Sequence, residues 1–87
     1  MNSLQEQIHG FVLEKFPQAR KRGISFQDDL LKSGILDSLG ILDLVTFVEQ
    51  SFGITLSDDE LLPENFQTVE HLATFVQNKI SSANHNL

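Results

Sequence analysis

The chain contains no cysteine, and this absence excludes several kinds of chemistry at once. Without thiols the protein can form neither disulfides nor thiolate metal sites, and it has no cysteine nucleophile. Any thiol chemistry must therefore come from a group attached to the protein. The three histidines, His9, His71 and His85, lie on separate segments. We therefore expect neither a metal site nor a catalytic histidine.

Basic residues are scarce as well. The 87 residues include six lysines and arginines against twelve aspartates and glutamates, which gives a formal net charge of −6. Proteins that bind nucleic acids or anionic membranes need a basic surface, so this charge argues against both classes. Ten of the acidic residues lie within residues 23–78, where Lys32 is the only basic residue. This acidic segment either keeps the protein soluble or docks basic partners.

Long apolar runs are missing too. No stretch approaches the roughly 20 apolar residues of a membrane span. The first residues lack the basic and apolar regions of a signal peptide, so we expect a cytoplasmic protein. The length suits one small domain, since domains usually have about 100–200 residues. We place this domain at residues 1–80 and a flexible polar tail at residues 81–87, and we expect a monomer.

Apolar residues recur at helical spacing in three segments of the chain. The first helix follows a Ser-x-x-Glu capping box and ends before Pro17. The second spans residues 38–52 and ends at a C-cap glycine, and the last is opened by Thr68. A short helix precedes the last one. We predict an all-α four-helix bundle, with three main helices, a short third helix and a long loop over residues 17–37.

The tripeptide Asp37-Ser38-Leu39 lies where an apolar loop meets the start of the second main helix. In one interpretation Ser38 is only a helix cap, because serine and aspartate accept hydrogen bonds from free N–H groups there. In the other, Ser38 is an attachment point for a phosphate group, which the helix dipole favours. Asp37 would then assist the modification by helping to hold a divalent metal ion. The tripeptide alone does not decide between them.

The wider context of this serine resembles the carrier-protein family, which includes acyl, aminoacyl and peptidyl carriers. Gly-Ile-Leu-Asp-Ser-Leu, at residues 34–39, follows a long loop and opens a helix that ends in Phe52-Gly53. The resemblance covers about residues 4–80. It implies a four-helix bundle whose Ser38 carries 4'-phosphopantetheine, attached by a phosphopantetheinyl transferase that uses coenzyme A and Mg²⁺. The thiol of that arm would hold the cargo as a thioester, and the protein itself would catalyse nothing.

The resemblance also implies the partners of the chain. Besides the transferase, they would be an adenylating ligase or acyltransferase and downstream biosynthetic enzymes. The Gly-Ile-Leu-Asp-Ser lead-in looks more like stand-alone D-alanyl, aminoacyl or specialised acyl carriers than like the carriers of fatty-acid synthesis. The identity of the cargo, an acyl or an aminoacyl group, is therefore undecided. The alternative from another class is an acidic helical adaptor, in which Ser38 only caps a helix.

Four residues of the second main helix are expected to contact partners: Leu39, Asp43, Phe47 and Glu49. Leu39 is an apolar neighbour of the serine, although it could instead fold back toward the loop. Asp43 and Phe47 share one helical face with Gly40, opposite the core stripe, so Phe47 would be an exposed aromatic residue. Alternatively, Phe47 packs beneath the long first loop. Gly40 either leaves clearance for an attached arm or has no particular purpose.

Overall fold

The computed structural model describes the backbone of residues 3–85 and the side chains of residues 3–81. The described residues form four α-helices, in chain order α1 (Leu4–Lys15), α2 (Pro17–Arg22), α3 (Ser38–Phe52) and α4 (Val69–His85). Two 3₁₀ turns, Asp58–Glu60 and Pro63–Phe66, lie between α3 and α4. The described part of the chain contains no strand, so the predicted all-α class is confirmed.

The first helix begins as predicted, but Pro17 does not open a long loop. The hydroxyl of Ser3 accepts the Glu6 N–H at 3.1 Å, and the Glu6 carboxylate accepts the Ser3 N–H at 2.9 Å. Pro17 starts α2, because a proline at the first helical position removes only an N–H that would be unpaired there. α2 ends at Gly23, which has a φ of 60°. The loop is therefore residues 23–37, not residues 17–37.

The loop at residues 23–37 is hydrogen-bonded to the first turn of α4 and to the chain just before it. The Leu30 N–H donates to the Gln67 carbonyl at 2.7 Å, and the Glu70 N–H donates to the Phe26 carbonyl at 3.0 Å. The Gln67 amide also donates to the Asp29 carboxylate at 3.0 Å. Four apolar loop side chains are buried: Ile24, Leu30, Ile35 and Leu36. The loop therefore forms part of the core and sets the direction in which the chain enters α3.

The predicted short third helix is two 3₁₀ turns rather than one helix. Leu62 is extended before Pro63, since a residue that precedes proline disfavours helical backbone angles. The first turn is fixed by Glu60, which accepts the Ser57 N–H at 3.0 Å and pairs with the Lys79 ammonium at 2.9 Å. These two contacts, the Ser57 bond above all, lower the pKa of Glu60.

The core lies around α1, which contacts each of the other three helices. Fully buried side chains come from α1, α3 and α4, and the second 3₁₀ turn adds a buried aromatic ring; they include Ile8, Val12, Leu44, Val48, Phe66, Leu72 and Val76. α4 continues to His85, so the predicted tail at residues 81–87 begins within a helix, and residues 86 and 87 lie outside the described residues. No helix in residues 3–85 is long and apolar enough to cross a membrane.

Candidate functional site

Ser38 is the first residue of α3, and Asp37 is the residue that caps this helix. Asp37 is extended, and its Oδ1 accepts the Gly40 N–H at 2.8 Å. Ser38 is exposed, and its hydroxyl makes no hydrogen bond with any residue that the structure describes. The interpretation of Ser38 as the helix cap is therefore wrong. Asp37, the residue before the helix, is the N-cap instead, because its side chain can reach the N–H groups of the first turn.

The exposed hydroxyl stands at the positive end of the α3 dipole. The first N–H groups of a helix have no partner within it, so this position favours a phosphate attached to the serine. Asp37 satisfies one of these N–H groups, that of Gly40, through Oδ1 alone. The site thus offers an exposed hydroxyl, a helix N-terminus and one carboxylate within two adjacent residues.

The chain that leads into Ser38 is fixed by its own apolar residues. Ile35 and Leu36 are buried, and the Leu36 N–H donates to the Leu30 carbonyl at 2.9 Å.

Farther back in the loop, Asp29 accepts the N–H groups of Leu31 at 3.0 Å and Lys32 at 2.7 Å. The Lys32 N–H, followed by the Gln67 side chain described above, lowers the pKa of Asp29.

Gly40 has a packing role that its sequence position did not reveal. It is buried, and a Cβ atom placed on it would lie 3.0 Å from both Phe16 Cε1 and Leu36 Cδ1. The first turn of α3 therefore lies directly on the junction of α1 and α2. Neither sequence-based interpretation of Gly40, clearance for an arm or lack of purpose, included this contact. The available signal was a glycine inside the first turn of a helix, where it lowers helix propensity.

The two residues near the serine that were expected to contact partners are exposed, and the contact with partners stays a prediction. Leu39 is 73% exposed, so it does not fold back toward the loop. Asp43 is exposed one turn farther along α3. Leu42, which is 55% exposed, was not among the predicted contacts and lies three residues after Leu39 on the same face.

Phe47 adopts neither of the two predicted positions. It is half-buried, and its ring stacks on Phe11 of α1 with centroids 4.2 Å apart and planes 13° apart. Phe52 approaches it edge-on at 6.0 Å. The wheel of α3 alone placed Phe47 opposite the core, but α1 packs beside that face and supplies the stacking ring. A shallow groove of about 270 Å³ remains beside the pair, lined also by Asp43 and Gln50.

Two further polar side chains have structural partners. The Glu49 carboxylate accepts the Leu56 N–H at 2.8 Å and so holds the segment after α3. Glu49 thus has a structural contact, and its contact with a partner stays a prediction. His9 donates from Nε2 to the Ile24 carbonyl at 2.7 Å and meets the Phe26 ring edge-on. No cluster of three or more His, Asp or Glu residues suited to a metal ion occurs in the described residues.

The fold and the site together define a class of protein. An acidic all-α domain presents an exposed serine at a helix N-terminus, and a different residue caps that helix. Residues 12–76 match the family model described as "Phosphopantetheine attachment site", which covers more than half of the chain. The chain therefore belongs to the family of phosphopantetheine-binding carrier proteins.

Curated relatives agree with this assignment. The chain is 31% identical over 74 residues to the probable acyl carrier protein PigG of Serratia sp. (strain ATCC 39006), and the match covers 85% of each chain. It is 33% identical over 82 residues to the acyl carrier protein of Buchnera aphidicola subsp. Acyrthosiphon pisum (strain 5A), covering 91% of this chain and 95% of the relative. The protein is therefore an acyl-carrier-type protein rather than an enzyme, and its cofactor is covalent 4'-phosphopantetheine.

Proposed function

We propose that Ser38 is the residue that receives the 4'-phosphopantetheine arm, and that the chain delivers an acyl or aminoacyl cargo to the enzymes of one pathway. The observation that supports this best is that one residue caps α3 while the next carries the exposed hydroxyl. Asp37 accepts the Gly40 N–H, so the Ser38 hydroxyl is not needed for capping. The same hydroxyl is exposed and therefore accessible to a transferase.

The proposed loading reaction is a transfer of phosphopantetheine from coenzyme A. Ser38 Oγ forms a bond to the phosphorus that bears the pantetheine group, and the P–O bond to the other phosphate breaks. 3',5'-ADP leaves, and the serine proton passes to a base of the transferase. Asp37 assists by helping to hold the Mg²⁺ ion, for which it retains Oδ2 while Oδ1 accepts the Gly40 N–H.

The arm supplies a terminal thiol that holds the cargo as a thioester. The chain contributes no cysteine, so no thiol of its own competes for that cargo. The tether raises the effective concentration of the cargo at each enzyme that binds the carrier. The names of the curated relatives favour an acyl cargo. The Gly-Ile-Leu-Asp-Ser lead-in is the feature that keeps an aminoacyl cargo in the proposal.

The proposed partners are a phosphopantetheinyl transferase, an adenylating ligase or acyltransferase, and the downstream biosynthetic enzymes. Their contact surface would be the exposed side of α3, where apolar Leu39 and acidic Asp43 are accessible. Phe47 would contribute the exposed part of its stacked ring, and Glu49 its charge. The proposal also takes the chain to act as a monomer in the cytoplasm, which gel filtration and cell fractionation would test.

Incubation with coenzyme A, Mg²⁺ and a broad-range transferase tests the proposal, with intact-protein mass as the readout. We expect wild type to gain the mass of one phosphopantetheine group and Ser38→Ala to gain none. Ser51→Ala is the matched control, because Ser51 is an exposed serine at the other end of the same helix. This variant should load like wild type. If folded wild type gains no mass, the proposal is wrong and an acidic helical adaptor without an attached arm is favoured.

A further inference from the structure

Gly40 lies where the start of α3 packs closely against Phe16 and Leu36. A Cβ atom at this position would be 3.0 Å from Phe16 Cε1, 3.2 Å from Phe16 Cζ and 3.0 Å from Leu36 Cδ1. Carbon atoms in good contact are about 3.5–4.0 Å apart. Any side chain at residue 40 therefore displaces either its neighbours or the helix. Gly10 is a useful contrast, since nothing lies within 4 Å of a Cβ placed there.

The neighbours of Gly40 are fixed from several sides. Phe16 lies between α1 and α2 with extended backbone angles, and its N–H donates to the Val12 carbonyl at 3.0 Å. Leu36 is 3% exposed, and its N–H donates to the Leu30 carbonyl at 2.9 Å. Displacement of the first turn of α3 is therefore one of the ways in which an added methyl group would be accommodated.

Gly40 is also connected to the attachment residue through the helix cap. Its N–H donates to Asp37 Oδ1 at 2.8 Å, and Ser38 lies between these two residues in the chain. A shift of Gly40 thus moves the cap and the serine together. We propose that Gly40 is a positioning residue for the loading of Ser38: lacking a Cβ, it lets the first turn of α3 lie on Phe16 and Leu36 and so fixes the place of the hydroxyl.

This inference rests on the proposed function and makes a kinetic prediction. A Cβ atom 3.0 Å from its neighbours needs a few tenths of an ångström more room, and under this inference the first turn of α3, with the Ser38 hydroxyl, moves by that amount. Because misplacement by about 1 Å can cost about 100-fold in rate, we expect Gly40→Ala to lower kcat for loading by about 3- to 10-fold. KM for the carrier should change little, since the exposed residues Leu39 and Asp43 are retained. A loss of stability alone would not lower kcat in a fully folded sample.

The test compares Gly40→Ala, Phe16→Leu and the double variant in a loading assay with coenzyme A, Mg²⁺ and a transferase. Phe16→Leu removes the ring atoms Cε1 and Cζ, which are the two ring atoms nearest the added methyl group. We expect each single variant to lower kcat and the double variant to recover most of the loss. Gly10→Ala adds the same methyl group where no contact exists, and it should load like wild type.

Each outcome distinguishes this inference from the proposed function. Wild-type kcat in folded Gly40→Ala overturns the inference, and so does a double variant that recovers nothing. If Gly40→Ala does not fold, Phe16→Leu decides, because an unchanged kcat there shows that the contact does not position the serine. Failure of wild type to load at all overturns the proposed function instead.

Discussion

Asp37 combines two roles in this account, and a pair of substitutions separates them. As the cap of α3 it accepts the Gly40 N–H, and in the proposal its carboxylate also helps to hold Mg²⁺ during loading. Asp37→Ala removes both the cap and the charge. Asp37→Asn keeps an oxygen that can accept the same N–H but removes the charge, because asparagine is about as good a cap as aspartate.

The magnitude follows from the single hydrogen bond at this cap. Loss of a capping side chain costs about 0.5–2 kcal/mol, so we expect Asp37→Ala to lower the free energy of unfolding by about 1 kcal/mol. In a domain of this size, that corresponds to a fall in Tm of about 4–8 °C. Asp37→Asn loses only the interaction of the charge with the helix dipole, which for this exposed residue in moderate salt is worth about 0.3 kcal/mol, or about 1–2 °C in Tm.

Thermal unfolding followed by circular dichroism measures the first role, and loading kinetics at a temperature where every variant is folded measure the second. We expect Asp37→Asn to unfold within a few degrees of wild type yet to load as slowly as Asp37→Ala. If both variants are equally destabilised, Asp37 is not acting as a hydrogen-bonding cap. If Asp37→Asn loads like wild type, its carboxylate does not assist the transfer.

Three further predictions concern the fold around the site. Gly10→Ala should raise the free energy of unfolding by about 0.5–1 kcal/mol, because alanine has the higher helix propensity. Gly40→Ala should lower it by about 1 kcal/mol, because overpacking against Phe16 and Leu36 outweighs that gain in helix propensity. Thermal unfolding of both variants checks the opposite signs. Phe47→Ala should cost about 2 kcal/mol, because it removes the stack on Phe11, and urea titration with an unchanged midpoint would contradict this. Hydrogen bonds lower the pKa of Asp29, so the ionised carboxylate stabilises the fold above the unfolded pKa of about 4, and this stabilisation is lost as pH falls through the pKa of the folded state. Asp29→Asn should therefore have a lower free energy of unfolding than wild type at pH 7, and the difference between the two proteins should shrink in acid.

The bounds of α3 could be predicted from the sequence because both of its ends carry local signals. Asp37 and Ser38 are both good N-terminal residues, and Gly53 adopts the left-handed conformation, with a φ of 66°, that ends helices. What the residues alone left open was which of the two polar residues is the cap. The backbone decides this, since Asp37 is extended and Ser38 is already helical.

Features that depend on two segments far apart in the chain could not be predicted. Phe47 stacks on Phe11, and Gly40 packs under Phe16. The apolar periodicity of α3 predicts neither contact. The bond from His9 Nε2 to the Ile24 carbonyl of the loop likewise joins segments that are apart in the chain. In each case the contact is created by how the helices and the loop pack, which a helical wheel does not contain.

The start of the first loop was mispredicted for a different reason, because the signal of Pro17 was ambiguous. A proline that follows an apolar helical stretch can stop a helix or start the next one, since the first helical position tolerates it. Here Pro17 does both: α1 ends at Lys15, and α2 begins at Pro17 after the extended Phe16. The consequence for the site is direct, because this junction brings the Phe16 ring onto Gly40.

Fragmentation mass spectrometry of the loaded protein tests the central claim most directly, because it locates the modified atom within the chain. We expect every phosphopantetheine group to be found on Ser38. A group found on any other residue, with Ser38 unmodified, would contradict it.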